Sequence, residues 1–280
     1  MSETLTRPAG PVPDAARRPG PDRPRPGAPL LALWTPEPGV TVALARIDHL
    51  LASPPELARL RTSEHRAAAA MAPWRGREHL AGRALLRLLL AAASGEDEAR
   101  RPVAPEPAGR PRLAGRPATG ISVSHSGGHT AAAVARGLDV GVDVQTPRPP
   151  SPGMLRRCCP PPTAARLASL APAEAAHAFA RVWTVQEACV KARGTGLAGA
   201  PWRIPADPDA ETGSWQALRW TRLTPPPGPD VGPALVCAFG PPVDAAHPPA
   251  PDHRTAAWLP GPTPPSAAPD RSRPSHAKGT

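Results

Sequence analysis

Apolar residues recur along the chain with two different periods. Val40-Thr41-Val42-Ala43-Leu44-Ala45 predicts a strand. Residues 56–71 predict a helix. Residues 78–93 predict a stronger one, because Leu85, Leu86, Leu89 and Leu90 line one face at three- and four-residue spacing. Residues 121–125 predict a short strand, Gly127-Gly128 a turn, and 130–135 the returning arm of a hairpin. A further strand is expected over 138–144, a proline-rich loop over 147–152, and a long helix over 173–193 that stops at Gly194. Residues 215–223 and 234–239 predict two late strands. Strands and helices alternate through both halves of this region, which predicts an α+β fold.

Composition sets the limits of the folded part. The chain has 280 residues, 45 of them proline. Eight prolines fall in 1–29 and 11 in 241–280, where no apolar period exists, so 1–29 and 246–280 are expected to be disordered tails. The net charge is +10, from 33 basic and 23 acidic residues. Of the basic residues only Lys191 and Lys278 are lysine, and Tyr and Asn are absent. This skew reads as a high-GC genome, so much of the arginine carries no functional meaning. The first residues open no apolar run, and the longest apolar stretch, 88–93, is far short of the ~18 residues a membrane helix needs. Cys158, Cys159, Cys189 and Cys237 show neither disulfide-scaffold nor zinc-site spacing. A cytoplasmic protein with no membrane partner is expected.

Three segments carry candidate chemistry. In the first, Gly109-Arg110-Pro111-Arg112-Leu113 precedes Ile121-Ser122-Val123-Ser124-His125-Ser126. Strand alternation puts the three serines on one face and His125 on the other. Hydroxyls, an imidazole and nearby arginines could hold a phosphate, or could simply form a polar strand end. A Ser-His hydrolase is disfavoured, because Ser124 and His125 point apart and no G-x-S-x-G elbow exists. In the second, Asp139-Val140-Gly141-Val142-Asp143-Val144-Gln145 places Asp139, Gly141, Asp143 and Gln145 on one face. A carboxylate two residues from an amide can offer oxygens to a hard cation such as Mg²⁺, and a half-exposed strand with solvated acids would show the same pattern. In the third, Trp183, Glu187 and Lys191 share a helical face at i, i+4, i+8. A random surface cation in this chain should be arginine, so the one lysine inside the expected folded region stands out.

Taken together, these segments resemble the Sfp-type 4′-phosphopantetheinyl transferases. The family pattern is G-[KR]-P, a strand ending S-H-S, G-[IV]-D-[IV]-E, and W-[TS]-x-K-E-[AS]-x-x-K-x-x-G-x-G-L. Here these read Gly109-Arg110-Pro111, Ser124-His125-Ser126, Gly141-Val142-Asp143-Val144-Gln145, and Trp183 through Leu197. Ala81-Gly82-Arg83-Ala84-Leu85-Leu86-Arg87 is similar to the family's AGR-x-LLR helix. The resemblance covers roughly residues 40–240.

The resemblance implies two similar α+β halves related by a pseudo-twofold, here 30–137 and 138–245, with coenzyme A in the cleft between them. It implies transfer of 4′-phosphopantetheine from coenzyme A to a serine hydroxyl of an apo acyl- or peptidyl-carrier protein, with release of adenosine 3′,5′-bisphosphate. Mg²⁺ would be held by Asp143, Glu187 and Gln145, and Lys191 would contact the pyrophosphate. Glu187, or a water it orients, would be the base. His125, Ser124 and Arg110, with Arg66 in a loosely aligned stretch, would bind the nucleotide end. A monomer acting in secondary metabolism, on polyketide or non-ribosomal peptide carriers, is the expectation. Two departures stand out. Gln145 replaces an acid, which predicts weaker metal affinity, and Gln186 replaces a lysine, which predicts reduced affinity if that lysine touches phosphate or the carrier.

The basic balance fits an acidic carrier, with Arg156-Arg157 as a candidate contact patch. Two other readings are a homologue that binds coenzyme A or carrier without efficient transfer, and a basic nucleic-acid-binding protein. Scattered arginines, no tyrosine, two phenylalanines and no helix-turn-helix or zinc spacing argue against nucleic acid.

Overall fold

The structure, a computed structural model, describes residues 31–227 and 232–242. The tails expected at 1–29 and 246–280 lie outside the described residues, which all fall in one of the chain's two units, Met1–Val243.

The first sheet is built from β1 (Leu31–Glu37), β2 (Val40–Arg46), β5 (Thr119–Ser126) and β6 (His129–Arg136), in the order β1-β2-β6-β5. The second holds β7 (Asp139–Gln145), β8 (Thr212–Trp215), β9 (Leu218–Arg222) and β10 (Ala234–Gly240), in the order β7-β10-β9-β8. All pairings in both are antiparallel. A small ribbon, β3 (Val103–Pro105) with β4 (Pro111–Leu113), stands apart. The order β2-β6-β5 in one sheet matches β7-β10-β9 in the other, and each sheet receives one 22-residue helix between its first and second core strands. These helices are α4 (Pro73–Ser94) and α8 (Pro172–Arg193), both with proline in the first turn, where its missing N–H costs nothing. Shorter helices lead into them: α1 (Ile47–Leu51), α2 (Pro54–Ala58) and α3 (Thr62–Ala69) before α4, and α6 (Pro152–Cys158) and α7 (Pro161–Ser169) before α8; α5 (Glu96–Ala99) follows α4.

The α+β expectation is met, and several element boundaries are corrected. The helix expected over 56–71 is two short helices broken at Arg59–Arg61. The strand expected over 215–223 is a hairpin, β8–β9, that turns at Gln216 with φ of 52°. Each is a place where the pattern continues across a break between two elements, so pattern alone merges them. The Gly127-Gly128 turn forms as expected, with φ of 56° and 83°, the pair of positive values that a two-residue hairpin turn between right-twisted strands requires.

Each long helix packs on one face of its sheet. Leu85, Leu86, Leu89 and Leu90 of α4 join Ile121, Ala132 and Val134 in one core. Val182, Val185, Ala188 and Cys189 of α8 join Val236, Ala238 and Leu218 in another. The remaining sheet faces meet each other, Val40, Val42 and Ala133 with Val140, Val144 and Cys237. The same seam is stitched by polar groups. Ser122 Oγ accepts from Val142 N (3.0 Å), Ser124 Oγ from Val144 N (3.3 Å) and Ser126 Oγ from Thr146 N (3.1 Å). The serine face of β5 thus supplies the acceptors that a neighbouring strand would otherwise provide, and leaves no buried N–H of this stretch of β7 unpaired. Buried charge holds the first half together elsewhere. Arg87, 1% exposed, donates to both carboxylate oxygens of Glu64 (2.9 and 2.7 Å) and to the carbonyls of Ala99 and Arg101.

Candidate active site

The second half of β7 runs along the seam, and α8 crosses it. Gly141 is what lets them touch: a Cβ there would lie 2.5 Å from Ala192 N and nearer still to Ala188 O, both backbone atoms of α8. With the helix that close, its half-buried stripe of Trp183, Glu187 and Lys191 reaches β7 two residues beyond the glycine.

Asp143 is the centre of the cluster and is 5% exposed. Its Oδ1 accepts from Lys191 Nζ (2.6 Å) and from Ser124 Oγ (2.7 Å). Lys191 Nζ also donates to Ser124 Oγ (2.9 Å) and to Val142 O (3.3 Å), so its three protons have three partners. The solvated-acid alternative for this strand is overturned, since Asp139 is buried as well. Around Lys191, two buried carboxylate oxygens remain without any hydrogen bond, Asp143 Oδ2 and Glu187 Oε1. Burial pushes the Glu187 pKa up; Lys191 opposes that shift and the Asp143 charge adds to it. Buried oxygens of ionisable acids left without donors need an explanation. Among the described residues no group of three or more His, Cys, Asp or Glu gathers to bind a metal. The acids that meet here are two, Asp143 and Glu187, with Gln145 beyond Asp143 on the same strand face. That set fits Mg²⁺, which commonly takes one or two carboxylates and completes its shell with phosphate oxygens and water. Gln145 is half-buried, its Nε2 donating to the Thr146 carbonyl (3.0 Å).

His125 lies at the end of β5, with Nδ1 3.2 Å from Glu78 Oε2 of α4. Burial lowers its pKa, Lys191 and Arg75 push the same way, and Glu78 and Asp143 oppose them. The structure thus brings Ser124, His125, Asp143, Gln145, Glu187 and Lys191 to one end of the seam. Arg110 stands apart from them: it is buried and ion-paired with Asp139, four residues before Asp143 on β7, with Arg112 3.5 Å from the same carboxylate. Arg66 is exposed on α3 and makes no hydrogen bond or ion pair with the cluster.

The condition attached to Gln186 is not met by its side chain. It is buried, and its Nε2 donates to Cys158 O (2.8 Å) and Ile204 O (3.0 Å). It ties α6 and the turn after α8 to the helix, and faces core rather than substrate. Arg157 stacks on Trp202 at 4.0 Å, whereas Arg156 lines a groove of ≈ 760 Å³ with Pro149, Pro152, Leu155 and Leu170. None of the cluster residues lines that groove. Arg75 and Glu78 escaped sequence reading. The available signal was their i, i+3 spacing at the start of α4, just ahead of the AGR segment.

Residues 139–224 match the family model of the 4′-phosphopantetheinyl transferase superfamily. The match spans β7 through β9 and includes Asp143, Gln145, Glu187 and Lys191. No curated protein is a significant match to the chain.

Proposed function

We propose, from the family match and the cluster it encloses, that the protein transfers 4′-phosphopantetheine from coenzyme A to a serine hydroxyl of an apo acyl- or peptidyl-carrier protein. The observation that carries this reading is the pair of unsatisfied buried oxygens on Asp143 and Glu187 beside a lysine held by Ser124. The lobes are taken as 30–137 and 138–245, with coenzyme A between them. Asp143 and Glu187 would hold Mg²⁺, with Gln145 contributing its amide oxygen directly or through water. When bound, the cation supplies Lewis-acid neutralisation of pyrophosphate oxygens.

The reaction is a displacement at phosphorus, so positioning and charge stabilisation supply most of the rate. Lys191 is held by Ser124, Asp143 and the Val142 carbonyl, which fixes its ammonium before substrate arrives. Such a preorganised charge acts on the departing bisphosphate without reorganising. Glu187 takes the proton of the carrier serine, directly or through a water it orients, and burial makes it a better base than a solvated carboxylate. His125 binds the nucleotide end. The Arg156 groove is the proposed contact for an acidic carrier. Monomeric, cytoplasmic action belongs to the same proposal. Among the described residues no helix is long and apolar enough to cross a membrane.

The test is direct. The protein is incubated with coenzyme A, Mg²⁺ and an apo carrier, and the carrier is weighed. A gain of one phosphopantetheine, abolished by Asp143→Ala and by Glu187→Ala, is expected. No gain with several apo carriers overturns the reading.

A further inference from the structure

The strand-end histidine has a partner on the opposite element that no motif identifies. His125 Nδ1 lies 3.2 Å from Glu78 Oε2, and the histidine side chain remains 44% exposed. Glu78 Oε2 is buried and accepts no hydrogen bond, and the His125 ring edge is the ionisable group set against it. A carboxylate against Nδ1 selects the tautomer with hydrogen on that nitrogen, leaving Nε2 for a ligand. The surroundings make such help necessary. Arg75 and His79 lie on α4 beside Glu78, Lys191 reaches in from α8, and across the hairpin β6 presents Thr130 with His129 next to it. Cationic neighbours and burial both disfavour a charge on the ring. A neutral imidazole with no partner is free to turn its lone pair toward an arriving anion, which repels it. With Nδ1–H held by Glu78, Nε2 of the neutral ring carries the lone pair, so it is the ring protonated on both nitrogens that binds the phosphate, and the Glu78 charge supports that second proton.

We propose that Glu78 is a positioning residue that holds His125 by its Nδ1–H, so that Nε2–H donates to a phosphate group on the nucleotide end of the substrate. This rests on the transferase reading above. Glu78 does not touch substrate; it acts through the imidazole, in the way an outer-shell carboxylate orients a functional histidine.

The full-length protein tests this with Glu78→Gln, His125→Gln and the double variant. Adenosine 3′,5′-bisphosphate serves as a binding probe in calorimetry, so that no turnover is needed. Glu78→Gln is expected to weaken the probe about tenfold and to raise KM for coenzyme A by about the same factor, with kcat changed by less than about threefold. The double variant should bind no worse than His125→Gln, because the two act as one unit. ¹⁵N spectra of the free protein, with His125 assigned by its loss in His125→Gln, should show the Nδ1–H form in wild type and a tautomer mixture in Glu78→Gln. Glu78→Asp should recover part of the binding. Wild-type affinity in Glu78→Gln, or losses that add in the double variant, overturns the proposal while leaving the transferase reading intact. A wild-type protein that binds neither the bisphosphate nor coenzyme A overturns both.

Discussion

Gly141→Ala adds one methyl group at the point where α8 rests on β7. Against an ordinary contact of about 3.4 Å, the 2.5 Å approach to Ala192 N demands a shift of about 1 Å, and the Ala188 carbonyl demands more. Both obstacles are backbone, and Ala188 and Ala192 lie in the fully buried part of α8, so no side chain can rotate away. Overpacking of this kind costs about 1–3 kcal/mol, and an immovable backbone belongs at the upper end. For a folded region of this size that lowers Tm by about 6–12 °C. The chemistry should suffer more than the fold. Lys191 and Glu187 ride on the displaced helix while Asp143 stays on the strand, so the 2.6 Å Lys191–Asp143 contact opens. A misplacement of about 1 Å at reacting groups costs about a hundredfold in rate. The assay pairs calorimetric melting with carrier mass gain under saturating coenzyme A. Gly153→Ala is the control, because its added methyl meets only Ser151 Oγ at 3.8 Å. Should Gly141→Ala melt with wild type and retain activity within about twofold, the argument that α8 sits on bare backbone to place its stripe is wrong.

Other outcomes follow from the same geometry. Ser122→Ala leaves the Val142 N–H without its acceptor in a buried seam and should cost about 1–3 kcal/mol in urea denaturation. Glu64→Gln should cost about 3–5 kcal/mol at pH 7, because Arg87 loses its buried counter-ion. Burial alone would raise the Glu64 pKa, but Arg87 and the Arg61 amide outweigh it and hold it below 4.5. Its stabilising effect is therefore complete above that unfolded value and lost as pH falls through the lower folded one, so the gap between wild type and variant should close in melts at low pH. Gln186→Lys buries an ammonium between the Cys158 and Ile204 carbonyls and should lower Tm without tightening coenzyme A. Gln145→Glu adds a third carboxylate to the site and should lower the Mg²⁺ concentration giving half-maximal transfer; an unchanged titration would remove Gln145 from the donor set.

The long elements were legible because one face of each is buried against one surface. The Leu85, Leu86, Leu89 and Leu90 stripe predicted α4, although the helix begins five residues earlier, at Pro73, where the sequence is polar and only the proline marks the start. Lys191 was legible for another reason: in an arginine-biased chain a lysine at a motif position carries information. The serines of β5 were read as a phosphate-holding face, and in the structure they instead meet a second sheet. No local pattern reveals that, because the partner N–H groups lie 20 residues away, on β7 and at the residue just past its end. The burial of Gln186 was not legible for a related reason. Its neighbours Val185 and Glu187 lie on faces with opposite fates, and a motif position does not say which way a helix is turned.

The serine seam has a consequence for how the molecule keeps time between its two parts. An amide ladder looks the same after a slip of two residues; a ladder of hydroxyls does not, because only Ser122, Ser124 and Ser126 can serve as rungs. Sliding β7 by two residues would strand one amide and carry Asp143 away from Ser124, the rung that also binds Lys191. Alignment of the two halves and assembly of the reactive cluster are thus one event read from the same three side chains. Any opening between the halves should register first as faster hydrogen exchange at the Val142, Val144 and Thr146 amides.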